Sequence, residues 1–290
     1  MKRLAGFLLG LSIVLGGVSL CAAQEKSGPP KVLTIFREFV KPGKAGMVHE
    51  KAESAFVQAF TKASWPTHYL AVTSLSGKPR ALFLIGYDSF AAWEKDNQAT
   101  EKNATLSAAL DRAGMADGEL LSGVDGGTFV YREDQSLRAG TVHIAHMRYF
   151  EISAFHVKPG HEKDWDEAVK LVTAAYEKIP DVRWATFEAV YGAPSGTFII
   201  FTPMKSLAEV DTELMQNKQF EAAMGEEGMK KLRELSAKAI ESSESNLFQF
   251  APKMSYVEDD WVKKDPDYWR PKAAKPAGEK KAEKKPAKKQ

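Results

Sequence analysis

Cysteine is all but missing from this chain: Cys21 is the only one among 290 residues. A disulfide framework, a thiolate metal site and a cysteine nucleophile are therefore excluded from everything after that position. Histidine is scarce too, and none of the six forms a chelating pair by spacing. On a strand, His143 and His146 point to opposite faces, while His146 and His156 share a face too far apart to share an ion. An ion would need partners from distant segments, so the sequence predicts no metal site and no cofactor. Long apolar runs are confined to the amino-terminal end. There Lys2 and Arg3 precede an apolar stretch at 8–20 and the small residues Cys21-Ala22-Ala23. This pattern predicts a signal peptide over 1–23, an exported (periplasmic or secreted) protein, and no membrane span in the mature chain. Lipidation of Cys21 is the alternative to simple cleavage after Ala23, and Leu20 is a poor residue to precede a lipidated cysteine.

Acidic and large apolar residues are nearly absent from the other end. Residues 270–290 carry nine Lys/Arg against two Glu, with Pro and Ala between them. Such a segment cannot bury enough surface to offset its chain entropy, so a disordered Lys/Ala/Pro-rich tail is predicted. Taking its +7 and the +2 of residues 1–23 from the total of +2 leaves −7 on residues 24–269. An acidic body argues against nucleic-acid binding by it. The basic tail is either a solvated end or a tether to an anionic surface.

Between those ends the chain contains itself twice at a constant shift of 117 positions. Val40-Lys41-Pro42-Gly43 returns as Val157-Lys158-Pro159-Gly160, and Leu82-Phe83-Leu84-Ile85 as Ile199-Ile200-Phe201-Thr202. A shift held across turns, strands and helices predicts two supersecondary units, at 31–136 and 144–257. The first reads as a strand at 32–40, a helix at 46–63 with Val48, Ala52, Ala55, Phe56, Ala59 and Phe60 as its buried stripe, and strands at 67–75 and 80–87. A broken helical region follows at 89–121, with Ser89 as its cap and Gly123, Gly126 and Gly127 in a turn before a last strand at 128–132. The second half repeats the order: strands at 183–191 and 197–202, a helical region at 206–242 opened by Ser206, and a strand at 246–250. The predicted fold class is α+β: two ferredoxin-like β-α-β-β-α-β repeats forming one intramolecular α+β barrel, in which each sheet buries the bare face of the other.

On its element order, the V-K-P-G turn and the Ser89-Phe90-Ala91-Ala92-Trp93 helix start, the chain resembles the dimeric α+β barrel superfamily. That superfamily includes antibiotic-biosynthesis monooxygenases, haem-degrading monooxygenases, chlorite dismutase-like proteins and NIPSNAP-like proteins. The resemblance to chlorite dismutase-like proteins implies a haem-ligating histidine on a helix of the second unit, but no histidine follows His161. The resemblance to haem-degrading monooxygenases implies an Asn, Trp and His set; the first strand has no Asn, and the helix opened by Trp93 has no His.

Strand alternation then places a candidate pocket inside the barrel. Leu33, Ile35, Phe150, Ile152, Leu70, Val72 and Phe187 are assigned to the helices, and Thr34, Phe36, Glu38, Tyr69, Tyr149, Glu151, Ser153, Trp184 and Glu188 to the interior. Glu38, Tyr69, Tyr149 and Trp184 are the candidate ligand-binding residues, for a small apolar or aromatic ligand. Glu151 and Glu188 are the candidate catalytic residues, because each stands where the other unit has a neutral residue. The competing reading sets these carboxylates in water or in pairs with Arg37 and Arg183. Two functions follow: a non-catalytic or ligand-binding exported barrel, and, as the alternative, a cofactor-independent monooxygenase-like oxidoreductase. A filled barrel favours the first, and a cavity of several hundred Å³ with a buried carboxylate favours the second.

Overall fold

The computed structural model describes residues 28–270. The predicted signal peptide and the basic tail beyond Arg270 lie outside the described residues. Eight antiparallel strands close into a barrel: β1 (Val32–Val40), β2 (Tyr69–Ser74), β3 (Arg80–Tyr87), β4 (Leu121–Leu137), β5 (Tyr149–Val157), β6 (Trp184–Tyr191), β7 (Thr197–Met204) and β8 (Ile240–Phe250). Round the barrel they run β1-β3-β2-β8-β5-β7-β6-β4, and β4 pairs back onto β1. On the outside lie α1 (Met47–Ala63), α2 (Phe90–Lys102), α3 (Ala104–Gly118), α4 (Glu162–Tyr176) and α5 (Ala208–Ala239), with α6 (Asp259–Lys264) and α7 (Pro266–Trp269) after the last strand. Among the described residues no helix is long and apolar enough to cross a membrane.

This corrects the predicted fold class. The molecule is a closed eight-stranded antiparallel barrel with helices, not two ferredoxin-like repeats facing each other. The β2–β8 and β4–β6 seams are hydrogen-bonded ladders, so the sheet is continuous and neither half has a face or edge of its own. The halves also differ: α2 and α3 are separate helices capped by the side chains of Ser89 and Asn103. Their place is taken by the single long α5, which breaks only at Gly225 (φ 68°). Ser206 does not cap α5 with its side chain; Leu207 stands at that position. Gly126 and Gly127, expected in a turn, lie inside β4. A Cβ on Gly126 would stand 2.6 Å from the Ile35 carbonyl oxygen, so glycine is what lets β4 lie against β1 there.

The inner core is built of apolar side chains, with the Arg80 guanidinium over the Phe248 ring at 5.1 Å. Every strand contributes to it, through Leu33 and Ile35, Leu70 and Val72, Leu82 and Leu84, Phe129, Phe150 and Ile152, Phe187, Phe201, Phe248 and Phe250. Leu33, Ile35, Leu70, Val72, Phe150, Ile152 and Phe187 are the residues that alternation had assigned to the helices, so the predicted facing is inverted. The lumen of an eight-stranded barrel is just wide enough for side chains, which makes it the driest layer and the wrong place for a pocket with carboxylates. One mouth is closed by Met147, Val257 and Trp269, which belong to the same cluster. Trp269 is fully buried, donates from Nε1 to the Ala145 carbonyl at 2.9 Å, and lies 6.3 Å from the Phe250 ring. Arg148 holds this segment by pairing with Asp265 and stacking over Tyr268. Trp269→Ala should therefore destabilise the barrel by about 3–5 kcal/mol in urea denaturation, as large-to-small core changes do. A loss below about 1 kcal/mol would show that the segment only rests on the surface.

Candidate functional site

The outward face of β1–β3 and the helices α1–α3 enclose a cavity of about 480 Å³. Phe36, Tyr69 and Phe83 line it from the strands, and Phe56 and Phe60 from α1. Trp65 and Tyr87 line it as well, and both are fixed by Asp96, whose carboxylate accepts from Trp65 Nε1 at 3.0 Å, Thr67 Oγ1 at 2.6 Å and Tyr87 OH at 3.0 Å. Burial and the Asp96 charge raise the Tyr87 phenol above its ordinary value, so it stays a donor. Tyr69 packs edge-on against Phe60 at 5.7 Å and Phe83 at 6.0 Å. The walls are thus aromatic and rigid, with few rotatable bonds to order when a flat ligand enters.

Four ionisable side chains meet at the polar part of this cavity. Glu38 comes from the outward face of β1, His49 and Glu53 from successive turns of α1, and Asp117 from the last turn of α3. All four are buried, Glu53 and Asp117 at 2% exposure. His49 Nε2 lies 2.9 Å from Glu38 Oε2, 3.4 Å from Asp117 Oδ1 and 4.0 Å from Glu53 Oε1. One donor atom from each residue falls within 4.8 Å of all the others, an arrangement able to hold a metal ion. Glu53 Oε1, Asp117 Oδ1 and the Tyr69 hydroxyl are buried with no hydrogen-bond partner. Unpaired polar atoms at this depth cost about 1–3 kcal/mol each, so they need an explanation other than packing.

Burial and the charges of Glu38 and Asp117 push Glu53 up to about 10, so it holds its proton at neutral pH in the ion-free protein. Burial and the Glu38 charge push Asp117 up to about 6, opposed by His49. Burial, with both glutamates behind it, keeps the Tyr69 phenol protonated.

The predicted site residues are divided between places. Glu38 and Tyr69 line the cavity just described. Glu151 and Trp184 line a second one of about 540 Å³ beneath α4 and α5. There Ser153 donates to Glu151 at 3.2 Å, and burial followed by the Glu151 charge pushes Glu213 up to about 7. Trp184 is held by its Nε1 bond to the Gln135 carbonyl at 2.8 Å. Glu188 lines neither cavity and pairs with Arg132 at 2.6 Å. Tyr149 is half-buried at the start of β5 and lines neither. Arg37 and Arg183, the anticipated partners, bind Asp125 and Glu209 instead.

Sequence reading missed Glu53 and Asp117 and gave His49 no role. The signal was the α1 stripe: positions 49, 53, 56 and 60 recur at helical spacing, and two of them are ionisable. Val48 and Ala55, placed in that stripe, are exposed.

No family model and no curated protein matches the sequence. Solved structures resemble it in backbone. A candidate monooxygenase from Fusobacterium nucleatum matches at 13% identity and TM-score 0.47, over 76% of this chain and 92% of that one. An anthrone oxidase-like protein matches at 17% and 0.46, over 77% and 93%. A variant chlorite dismutase from Candidatus Nitrospira defluvii matches at 11% and 0.43, over 81% and 95%. They do not address duplication or a NIPSNAP-like affinity, and identity this low leaves the chemistry to the side chains above.

A glutamate ionising at its ordinary value of 4.5 when unfolded and at about 10 when folded binds more protons in the native state between those values. Stability of the ion-free protein should therefore fall as pH rises through that window. Asp117 adds to the fall between its ordinary 3.8 and about 6. Glu53→Gln, which keeps the shape of the neutral acid, should flatten the decline in urea midpoints measured with chelator at pH 5, 7 and 9. Parallel slopes for both proteins would contradict this account of the cluster.

Proposed function

We propose that the protein is a monooxygenase-like oxidoreductase that takes a flat, hydroxylated aromatic molecule into the cavity between β1–β3 and α1–α3. One observation carries this reading: an aromatic-walled cavity of about 480 Å³ ends at four buried ionisable side chains with unpaired oxygens. A cavity that served only to hold an apolar molecule would gain nothing from such groups, since their desolvation lowers stability. A phenolic or enolic oxygen directed at the cluster loses its proton there, and the resulting anion is electron-rich enough to react with oxygen. For an activated methylene the balance is R₂CH₂ + O₂ → R₂C=O + H₂O: the carbon gives up four electrons, one oxygen atom stays on it, and the other leaves as water. The aromatic walls hold the ring plane, while Trp65, Thr67 and Tyr87 are fixed by Asp96 away from the cluster.

Export belongs to the same proposal, supported by the n-region, apolar stretch and small residues of 1–23. A mature chain beginning at Gln24, read by mass spectrometry from the source cell, would support it; a retained amino terminus would oppose it.

The functional test uses two readouts on one preparation. Quenching of intrinsic tryptophan fluorescence by 1-naphthol reports occupancy of the cavity, where Trp65 is part of the wall. Oxygen consumption with anthrone and with hydroxynaphthalenes reports turnover. Asp117→Asn should lower oxygen uptake by about 10²–10⁴-fold, the usual contribution of positioned proton transfer, and change naphthol affinity less than about threefold. Naphthol binding with no uptake from any substrate would return the protein to the ligand-binding, non-catalytic class. No binding would remove the cavity assignment.

A further inference from the structure

We propose that Glu38, His49, Glu53 and Asp117 hold a divalent first-row metal ion, of the manganese or iron kind, at the polar end of the aromatic cavity. The proposal rests on reading that cavity as the working site, and adds what completes it.

The first argument is separation. Donors about 2.0–2.2 Å from an ion stand roughly 3.0–3.5 Å apart when adjacent in its shell and about 4.2 Å apart when opposite. The distances from His49 Nε2 to the three carboxylate oxygens are 2.9, 3.4 and 4.0 Å. The four donors thus converge from three different elements, within 4.8 Å of one another, and binding an ion exchanges the His49–Glu38 hydrogen bond for ligation.

The second argument is satisfaction. Glu53 Oε1 and Asp117 Oδ1 are both buried and unpaired, and both belong to the atoms that converge. A divalent ion displaces the Glu53 proton, takes two negative charges and fills both empty acceptor sites at once.

The third argument is donor chemistry. No thiolate is present, which removes the soft ions' preferred ligand, and one imidazole among three carboxylates suits manganese or iron better than the all-oxygen shells of calcium or magnesium. Four protein ligands leave one or two positions free in an octahedral shell. The free side faces the aromatic cavity, which Glu53 and Asp117 line, and the unpaired Tyr69 hydroxyl belongs to the same wall. A ligand hydroxyl on such an ion would ionise more readily than in water, as metal-bound water does.

The test uses the whole protein freed of metal by chelator and dialysis, titrated calorimetrically with Mn²⁺, Fe²⁺ (under argon), Zn²⁺, Mg²⁺ and Ca²⁺. One equivalent of Mn²⁺ or Fe²⁺ should bind per chain, at least tenfold more tightly than Mg²⁺ or Ca²⁺. The melting temperature should rise by roughly 5–10 °C at about 100 times Kd. The double variant Glu53→Gln/Asp117→Asn should weaken Mn²⁺ binding by more than about 100-fold. His49→Gln serves the same purpose if the double variant loses its native circular dichroism. Glu213→Gln, in the other cavity, should leave Mn²⁺ affinity unchanged. Absence of stoichiometric binding, a preference for Mg²⁺ or Ca²⁺, or Mn²⁺ binding indifferent to all cluster variants would each overturn the proposal. Naphthol quenching on the same metal-free samples separates the two readings: a protein that takes naphthol and no ion keeps its cavity and loses only the metal.

Discussion

The filling of the barrel lumen is the constraint on which everything else depends. A closed sheet of eight strands encloses an interior that side chains can fill completely. Here that room is taken by Leu33, Ile35, Leu70, Val72, Phe150, Ile152, Phe187, Phe201, Phe248 and Phe250, capped by Trp269. Because side chains alternate along a strand, filling one face with apolar groups consigns Phe36, Glu38, Tyr69, Glu151 and Trp184 to the other. That outer face is covered by amphipathic helices standing on large side chains, and this layer tolerates gaps. Both cavities lie there and neither inside the barrel.

The helical layer is dry enough to perturb ionisation yet close enough to the surface to admit a ligand. Glu38, His49, Glu53 and Asp117 are placed there by three elements whose other contacts are ordinary packing. Their cost to folding is borne by the barrel core, which takes no part in the chemistry. Local rules that a sequence otherwise obeys are broken where function requires it, and an i, i+4 pair of His and Glu on the buried side of α1 breaks the rule for an amphipathic helix.

Strand and helix positions were legible because local signals decide them. β1 and β3 lie where β-branched and aromatic runs put them, and the VKPG turn with the following stripe fixes α1 to within a residue. The facing of the strands was not legible. Alternation says that Leu33 and Phe36 differ in side, not which side is the lumen, and only closure of the β2–β8 and β4–β6 seams decides it. The same gap hid the site. Glu38 could be named from its strand, but Glu53 and Asp117 lie far apart in sequence and meet only because α3 packs on α1. Glu188 misled for the complementary reason: its partner Arg132 is fixed by pairing of β4 with β6, which no local spacing displays.

The second half of the barrel offers a comparison for the polar groups beneath α1. Beneath α4 the polar groups are joined in a chain: Trp165 Nε1 donates to Gln135 Oε1 at 3.2 Å, Gln135 Nε2 to Asp166 at 2.8 Å, and the Gln135 carbonyl accepts from Trp184 Nε1 and Thr186 Oγ1, both at 2.8 Å. Glutamine and tryptophan there make a satisfied network that rigidifies the layer at little electrostatic cost. At the matching depth beneath α1 the chain places glutamate, histidine and aspartate, and leaves two carboxylate oxygens without donors. One molecule thus contains both solutions under nearly the same geometry. The layer beneath α4 and α5 has loose ends of its own: Arg183 Nε and Thr173 Oγ1 are buried without partners, and burial followed by the Glu151 charge pushes Glu213 up to about 7. What sets the layer beneath α1 apart is that its unpaired carboxylate oxygens converge with a histidine and a third carboxylate, a donor set that recurs nowhere else among the described residues.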